Sequence, residues 1–528
     1  MRHLRKVGFA AVLATAFAMG GFILPDRQEQ PGPELFRDVL TLVSTRFIDT
    51  LEVSEVYERA AEGLVQRLED PYASLYSPEE LEEFTVAYEG HYAGVGMLIE
   101  AQTGGAVVRR VFPNTPAERI GAQAGDRVIA VDGQSVEGWP LERISNALKG
   151  EPGTQVDVLF FRYGVREPID VSITRAVVRI PAVPYATLVQ EDVGYIPLLQ
   201  FNETAAEEVA TAVQDLLDQG AQGLVLDVRG NGGGIVEQAV QIAGMFLPED
   251  ADIAHQWERG SDEDKVYTNP LTPRAPELPL VVLVDGASAS ASEIVAGALQ
   301  DHDRAVILGT TSYGKGLVQT AYRVNGGYVL KMTTGKWYTP VGRSIHRERV
   351  LQNGRLVEVD DSVHFAAGRD ERPAYHSDSG RVVYGGGGIT PDLVVASDTL
   401  TTPEKTLAQA ILPSSPEFST TVFDYAAELK GSVEPGFQVR PEWRDELYRR
   451  LQAKDVNLDR DVYDAGAPYI DRVLSDRVGR LAFGDAYVKN QDATNDAQLM
   501  RAVEVIREGG PRQTGLFGYV EQVKDAEG

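Results

Sequence analysis

Residues Asp285-Gly286-Ala287-Ser288-Ala289-Ser290-Ala291-Ser292-Glu293-Ile294 run from an apolar stretch into an amphipathic one. A serine hydroxyl at a strand-to-helix corner can attack a carbonyl, and the N–H that follows it faces the developing oxyanion. Ser290, followed by Ala291, holds that position. The same residues also spell a capping box, with Ser290 as N-cap and Glu293 reaching back, and taken alone they favour that plainer role. The run is not Gly-x-Ser-x-Gly, which excludes the hydrolase elbow. A nucleophilic serine also needs a base. The nearest histidine in sequence, His302, lies at the far end of the following helix, about 18 Å away at 1.5 Å per residue. A lysine serves as base only when its amine is neutral near about pH 7, which requires desolvation. Lys315 stands between Gly314 and Gly316, close to Tyr313, Leu317 and Val318, and Gln319 offers an amide to orient the amine. Loops after successive parallel strands meet at the carboxyl edge of a sheet, so Ser290 and Lys315 can touch. The alternative for Lys315 is a solvated loop lysine.

Three glycine-rich runs offer backbone N–H groups. Gly230-Asn231-Gly232-Gly233-Gly234-Ile235 follows the apolar Val225–Val228. It lacks the third glycine of a dinucleotide fingerprint, because Ile235 sits there. What remains is a glycine turn entering a helix, the hardware of an oxyanion hole or simply a tight βα turn. The run from Gly309 to Gly316 nearly spells a phosphate-binding loop, but Gly316 replaces the hydroxyl residue that would hold magnesium, which argues against an NTPase. Gly94-Val95-Gly96-Met97 precedes a strand. Such a loop presents N–H groups to a peptide carboxylate while the strand edge pairs with the peptide; an ordinary hairpin turn is the alternative.

Composition narrows the chemistry. The chain has 528 residues with no cysteine, 7 histidines, and 50 basic against 78 acidic side chains, a formal charge of −28. Without cysteine there is no disulfide, thiolate nucleophile, Cys-ligated zinc or iron–sulfur cluster. The acidic balance argues against sequence-independent nucleic-acid binding. No His-Glu-x-x-His occurs, which argues against a zinc hydrolase and leaves Ser, Lys, Asp, Glu, Tyr or a bound cofactor to do the chemistry; the expected site holds neither metal nor cofactor. At roughly 150 residues per domain, three or four domains fit.

The elements that must position these residues fall into blocks. Arg2, Arg5 and Lys6 precede a 17-residue uncharged stretch, Gly8–Leu24, so residues 1–25 read as a signal peptide or membrane anchor. Residues 26–88 show helical spacing, as in Val56, Ala60, Leu64 and Leu68. Residues 89–178 turn to short β runs with glycine turns. From 179 to 400 apolar strands alternate with amphipathic helices, which predicts a largely parallel sheet with both faces covered. Within that block, 347–388 is polar and glycine-rich and reads as an irregular insertion. Residues 401–528 return to a helical pattern.

Taken together, these motifs resemble the C-terminal processing peptidases, or tail-specific proteases, which are serine proteases with an embedded PDZ domain. The resemblance runs from about Phe36 to Val395. It is carried by Asp70-Pro71, Gly94-Val95-Gly96, Pro113-Asn114-Thr115-Pro116-Ala117-Glu118, Ala124-Gly125-Asp126-Arg127, and Leu226-Asp227-Val228-Arg229-Gly230-Asn231-Gly232-Gly233-Gly234. It continues through Ser288–Ile294, Tyr313–Gly316, Gln319, Tyr338-Thr339-Pro340, Gly342-Arg343-Ser344-Ile345 and Ile389-Thr390-Pro391-Asp392. It implies a multidomain α/β protein: a crotonase/Clp-protease-like core, an inserted β-rich PDZ domain at 89–178, and helical N- and C-terminal regions. It implies Ser290 as nucleophile, Lys315 as general base and Gln319 as its orienting partner, with oxyanion donors from Ala291 and from Gly232 and Gly233. The PDZ carboxylate loop is then Gly94, Val95, Gly96 and Met97. The expected partners are protein substrates held by their C-terminal tails. A homo-oligomer through the C-terminal helices and an adaptor protein are further expectations. Nucleic acid is not among them, and the membrane enters only through an uncleaved N-terminal segment. The expected location is the periplasm or the outer face of the cytoplasmic membrane. The rival is a catalytically silent PDZ-type binding or scaffolding protein, against which the presence of both Ser290 and Lys315 argues. The 347–388 segment is longer than the family pattern needs, and 401–528 matches it only vaguely.

Overall fold

Along Gln155–Phe161, Val156, Val158 and Phe160 are buried while Gln155, Asp157 and Phe161 are exposed. This is the period of a strand with one face on a core. In the computed structural model, which describes residues 32–49, 51–81, 90–102, 104–352, 355–358 and 372–527, that strand belongs to a β domain. The proposed export segment lies outside the described residues.

Residues up to Leu75 and from Tyr76 onward form two compact units. The first contains α1 (Gly32–Arg46) and α2 (Val53–Gln66). Glu34 in the first turn of α1 and Arg46 in its last complement the helix dipole.

The second unit begins its β domain with β1 (His91–Gly94), β2 (Met97–Gln102), β3 (Gly105–Val111) and β4 (Arg127–Val131). Helix α3 (Leu141–Leu148), β5 (Gln155–Phe161), β6 (Ile169–Thr174) and β7 (Ala176–Arg179) complete it. Strands β2 to β6 form an antiparallel sheet in sequence order. Ile144 and Leu148 of α3 close its core with Met97, Val108, Val128, Val158 and Phe160. The two ends of the domain are tied together: β1 pairs antiparallel with β7, from His91 opposite Arg179 to Gly94 opposite Ala176. The domain thus begins and ends on adjacent strands.

The larger fold is built on a six-stranded sheet of β8 (Thr187–Val189), β9 (Val193–Pro197), β10 (Gly223–Asp227), β11 (Leu280–Val284), β12 (Val306–Gly309) and β13 (Leu393–Val394). Only β8 runs antiparallel. Every residue of β9 to β12 is buried, because both faces are covered. On one face Ile196, Leu226, Val282 and Ile307 pack against α4 (Ala205–Asp218), α5 (Val236–Gly244) and α6 (Ala291–Asp301).

The other face is covered from far along the chain. Helices α7 (Ser415–Leu429), α8 (Ala467–Phe483), α9 (Asp485–Asp492), α10 (Ala497–Gly509) and α11 (Gln513–Glu527) belong to the helical region expected at 401–528. Leu499, Val503 and Ile506 of α10, with Leu516 and Val520 of α11, seal Tyr195, Val225, Val281, Leu283 and Leu308. These two helices therefore complete the core rather than forming a detached tail. Helix α7 meets the β domain instead: Phe423 and Ala427 pack on Val107, and Asp424 pairs with Arg127 at 2.5 Å.

Two further features depart from the expected alternation. Asp252–Glu258, Lys265–Thr268, Leu317–Arg323 and Val329–Tyr338 form antiparallel pairs in a second sheet. The 347–388 segment is not uniformly irregular, since Arg349–Gln352 pairs with Arg355–Glu358 and Ala374–His376 with Val382–Tyr384.

Candidate active site

The three serines at the end of β11 have different fates. Ser288 is fully buried, its hydroxyl donating to the Val228 carbonyl at 2.8 Å and accepting from Asp285 N–H at 2.9 Å. Ser292 is also buried and donates to the Asn231 carbonyl at 2.9 Å. Ser290 alone is half-buried, and it precedes the first residue of α6 with φ 56° and ψ −113°. Positive φ is costly for a residue with a Cβ, and such strain, of order 1–3 kcal/mol, persists only where surrounding contacts impose it.

Those contacts converge on Glu293. Its Oε2 accepts from Ser290 N–H at 2.8 Å, within the capping box expected at this corner, both halves of which are present. The same Oε2 accepts from Lys315 N–H at 2.8 Å. Oε1 accepts from Ser312 Oγ at 2.5 Å and Gly314 N–H at 2.7 Å. One buried carboxylate thus ties the serine corner to the lysine loop that follows β12. Burial pushes this carboxyl above its ordinary value, and the four donors only partly offset that. The lysine amine itself donates to Gln319 Oε1 at 3.1 Å. Gln319 lies on the strand Leu317–Arg323 that begins just after the loop. The structure therefore brings Ser290, Lys315 and Gln319 to one edge of the sheet. His302 caps the far end of α6, where its ring nitrogens meet Asp378 and the Asp252 carbonyl, both at 2.7 Å.

The glycine turn after β10 is locked against the same corner. Gly230 N–H donates to Asp285 Oδ1 at 3.0 Å. The Asn231 carbonyl accepts from Ala289 N–H at 3.0 Å, and its side chain donates to the Leu198 carbonyl at 2.8 Å. Gly233 lies so close that a Cβ there would sit 2.9 Å from Ser290 Cβ and 2.7 Å from the Ala289 carbonyl. Its N–H, however, donates to Asn231 Oδ1 at 2.9 Å. The expected oxyanion role of Gly233 is corrected accordingly: in this conformation its donor is taken, and the residue contributes by closeness. Gly232 is exposed beside it, and Ala291 N–H, the first of α6, lies outside the helix ladder. Gly233→Ala is expected to lower kcat for peptide hydrolysis by about 100-fold, since a displacement of about 1 Å costs that much. Steady-state kinetics together with circular dichroism would separate this from misfolding.

Asn231 and Glu293 were not assigned a role in joining the two loops from sequence. The only signals for them were the asparagine inside the glycine run and the acid three residues after Ser290.

The second candidate surface is the loop Gly94-Val95-Gly96-Met97. Gly96 has φ +93°, and a Cβ on it would lie 2.2 Å from Thr115 Cβ. Thr115 Oγ1 donates to the Phe112 carbonyl at 2.7 Å, while Phe112 N–H donates to the Gly96 carbonyl at 3.0 Å. Beside this loop a cavity of about 680 Å³ runs between β2 and α3, lined by Tyr92, Met97, Leu98, Leu141, Leu148 and Leu199 among others. Burial pushes the Tyr92 hydroxyl up to about 12, against the pull of the Gly96 and Met97 backbone N–H groups on its oxygen. Among the described residues no cluster of three or more His, Asp or Glu side chains could hold a metal, and no helix is long and apolar enough to cross a membrane.

A serine at a strained strand-to-helix corner, fastened to a lysine loop, is the equipment of a serine-type peptidase. The comparisons agree. Residues 192–354 match peptidase family S41 and residues 107–162 match a PDZ domain. A carboxy-terminal-processing protease of Bartonella bacilliformis is 33% identical over 352 residues, covering 65% of this chain and 80% of that protein. The carboxy-terminal processing protease CtpB of Bacillus subtilis is 30% identical over 369 residues, covering 69% and 74%. A probable CtpA-like serine protease of Staphylococcus haemolyticus is 30% identical over 349 residues, covering 66% and 69%. The chain belongs to the carboxy-terminal-processing proteases of peptidase family S41, and its inserted β domain is a PDZ domain.

Proposed function

We propose that this chain is an exported endopeptidase that holds proteins by their C-terminal tails on the PDZ groove and cuts them with a Ser290/Lys315 dyad. The observation that carries the reading is the single Glu293 oxygen shared by the main-chain N–H groups of Ser290 and Lys315, each at 2.8 Å. The tail carboxylate meets the Gly96 and Met97 amides, and the chain extends along the edge of β2. Lys315, neutral and steadied by Gln319, takes the proton of Ser290 Oγ as that oxygen bonds to the scissile carbonyl carbon. Ala291 and Gly232 N–H groups receive the oxyanion. The amine leaves with the proton, and water then hydrolyses the acyl-enzyme through the same base. A parallel sheet covered by helices on both faces supports a crotonase/Clp-like core. Export to the periplasm or the outer face of the cytoplasmic membrane rests on Arg2, Arg5 and Lys6 before the uncharged Gly8–Leu24.

The test compares one peptide substrate ending in a free carboxylate with its C-terminal amide. Charge-assisted hydrogen bonds of about 1.5–3 kcal/mol predict kcat/KM about 10–100-fold lower for the amide. Equal rates would remove tail recognition, and no cleavage of either would remove the peptidase reading.

A further inference from the structure

Residues 401–528 lie outside both family-matched segments, yet two of their side chains grip the strand end that launches the glycine turn. Arg229 is the residue concerned. On one side its Nε and Nη2 donate to the Asp227 carboxylate at 2.9 and 2.6 Å. On the other, Nη1 and Nη2 donate to Asp496 Oδ1 and Oδ2 at 3.0 and 2.8 Å, and Nη1 also reaches Gln498 Oε1 at 2.9 Å. A guanidinium forked between two carboxylates and an amide has a fixed orientation.

Both anchors are themselves fixed. Asp496 is the N-cap of α10, accepting from Leu499 N–H at 3.0 Å, and it takes a further bond from Lys489 Nζ at 2.7 Å. Gln498 donates to the Val395 carbonyl at 2.8 Å beside β13. Asp227 ends β10 and also accepts from Arg229 N–H at 3.0 Å and from Tyr195 OH at 2.7 Å. The next residue after Arg229 is Gly230, where the turn that abuts Ser290 begins.

We infer that Asp496 and Gln498 are positioning residues for peptide hydrolysis: from the C-terminal helices they hold the Arg229 side chain, and through it the Gly230–Gly234 turn against Ser290. The inference rests on the reading of Ser290 as nucleophile. Helix α10 is pinned to the sheet independently by Leu499, Ala502, Val503 and Ile506. Removing the Asp496 carboxylate therefore loosens one side of the Arg229 fork, leaving Asp227 on the other, without undocking the helix.

The experiment uses the full chain with Asp496→Asn, Gln498→Ala, Asp496→Glu and Ser290→Ala. Peptide-cleavage kinetics, labelling of the active serine by a fluorophosphonate and thermal melting are read on each. For Asp496→Asn we expect kcat about 100-fold lower, the effect of a displacement of about 1 Å, with KM changed by no more than about twofold. Serine labelling should slow in step with kcat while a cooperative melt persists. Gln498→Ala should move kcat the same way by less, and Asp496→Glu should recover part of the loss. Wild-type kcat in Asp496→Asn would overturn the inference. So would a loss of activity that merely tracks the fraction of unfolded protein, with labelling normal in the folded remainder. Hydrolysis surviving in Ser290→Ala would instead remove the underlying reading of the nucleophile.

Discussion

Lys315→Ala is expected to reduce kcat for peptide hydrolysis by at least about 10⁴-fold while leaving the protein folded, the scale seen when one member of a serine catalytic unit is removed. The folded state should survive because the main chain at this position is held without the side chain. Lys315 N–H is bound by Glu293, and its carbonyl accepts from Trp337 Nε1 at 3.1 Å. What is lost is the amine next to Gln319. Lys315→Arg should not rescue activity, since a guanidinium stays protonated and cannot take the Ser290 proton. The wild-type rate should fall as the pH is lowered, because only the neutral amine is a base. The measurement is kcat with a tail-bearing peptide, alongside circular dichroism. A variant with near-wild-type turnover would remove lysine as the base.

Glu293→Gln should be the most damaging isosteric change near the site. All four partners of the carboxylate donate: Ser290 N–H and Lys315 N–H to one oxygen, Ser312 Oγ and Gly314 N–H to the other. With the glutamine NH₂ toward Ser290 and Lys315 two N–H groups face a donor; turned the other way, Gly314 N–H alone does, because the Ser312 hydroxyl can rotate to accept. A buried unsatisfied group costs about 1–3 kcal/mol, so a loss of about 1–3 kcal/mol is expected in chemical denaturation. Neutralising a buried charge works in the other direction by removing its desolvation cost. It offsets part of that loss.

The pH dependence gives the sign of that balance. The folded-state value of Glu293 lies above its ordinary value of 4.5, because burial dominates. Its contribution to stability is then fully present below that ordinary value and declines as pH rises through the folded value. The advantage of wild type over Glu293→Gln should shrink along the same course. A difference that grew with pH would show a carboxyl held below its ordinary value instead.

Much of the site was legible because its parts follow local rules. Strands β9 to β12 announce themselves as short apolar runs, and the loops after β11 and β12 meet because parallel strands put them on one edge. Lys315 and Gln319 are four residues apart on one short stretch of chain. Glu293 was legible only as a cap, since its other donors come from residues 312–315, a separate loop. Gly233 is legible as an oxyanion donor by resemblance, whereas the claim of Asn231 on its N–H depends on the shape of the turn. The Arg229 clamp was out of reach, because Asp496 is 267 positions away and a polar contact at such separation leaves no periodicity. The antiparallel sheet around Lys265–Thr268 was missed for a related reason: its strands are partly exposed and mixed in polarity.

The covering of the sheet by α10 and α11 also bears on the order in which the molecule can be made. Strands β8 to β12 are complete by Gly309, but the helical residues that shield Tyr195, Val225, Val281, Leu283 and Leu308 begin at Ala493 and come mostly from Leu499 onward. A growing chain emerges from its amino end, so for nearly two hundred residues of synthesis this apolar face has no intramolecular cover. Ser290, Lys315 and the groove are all present in such a nascent chain, while the core beneath them is open to water. A peptidase assembled this way finishes its own folding only when its last helices arrive, and stop codons upstream of Leu499 yield chains with an adhesive surface rather than shortened enzymes.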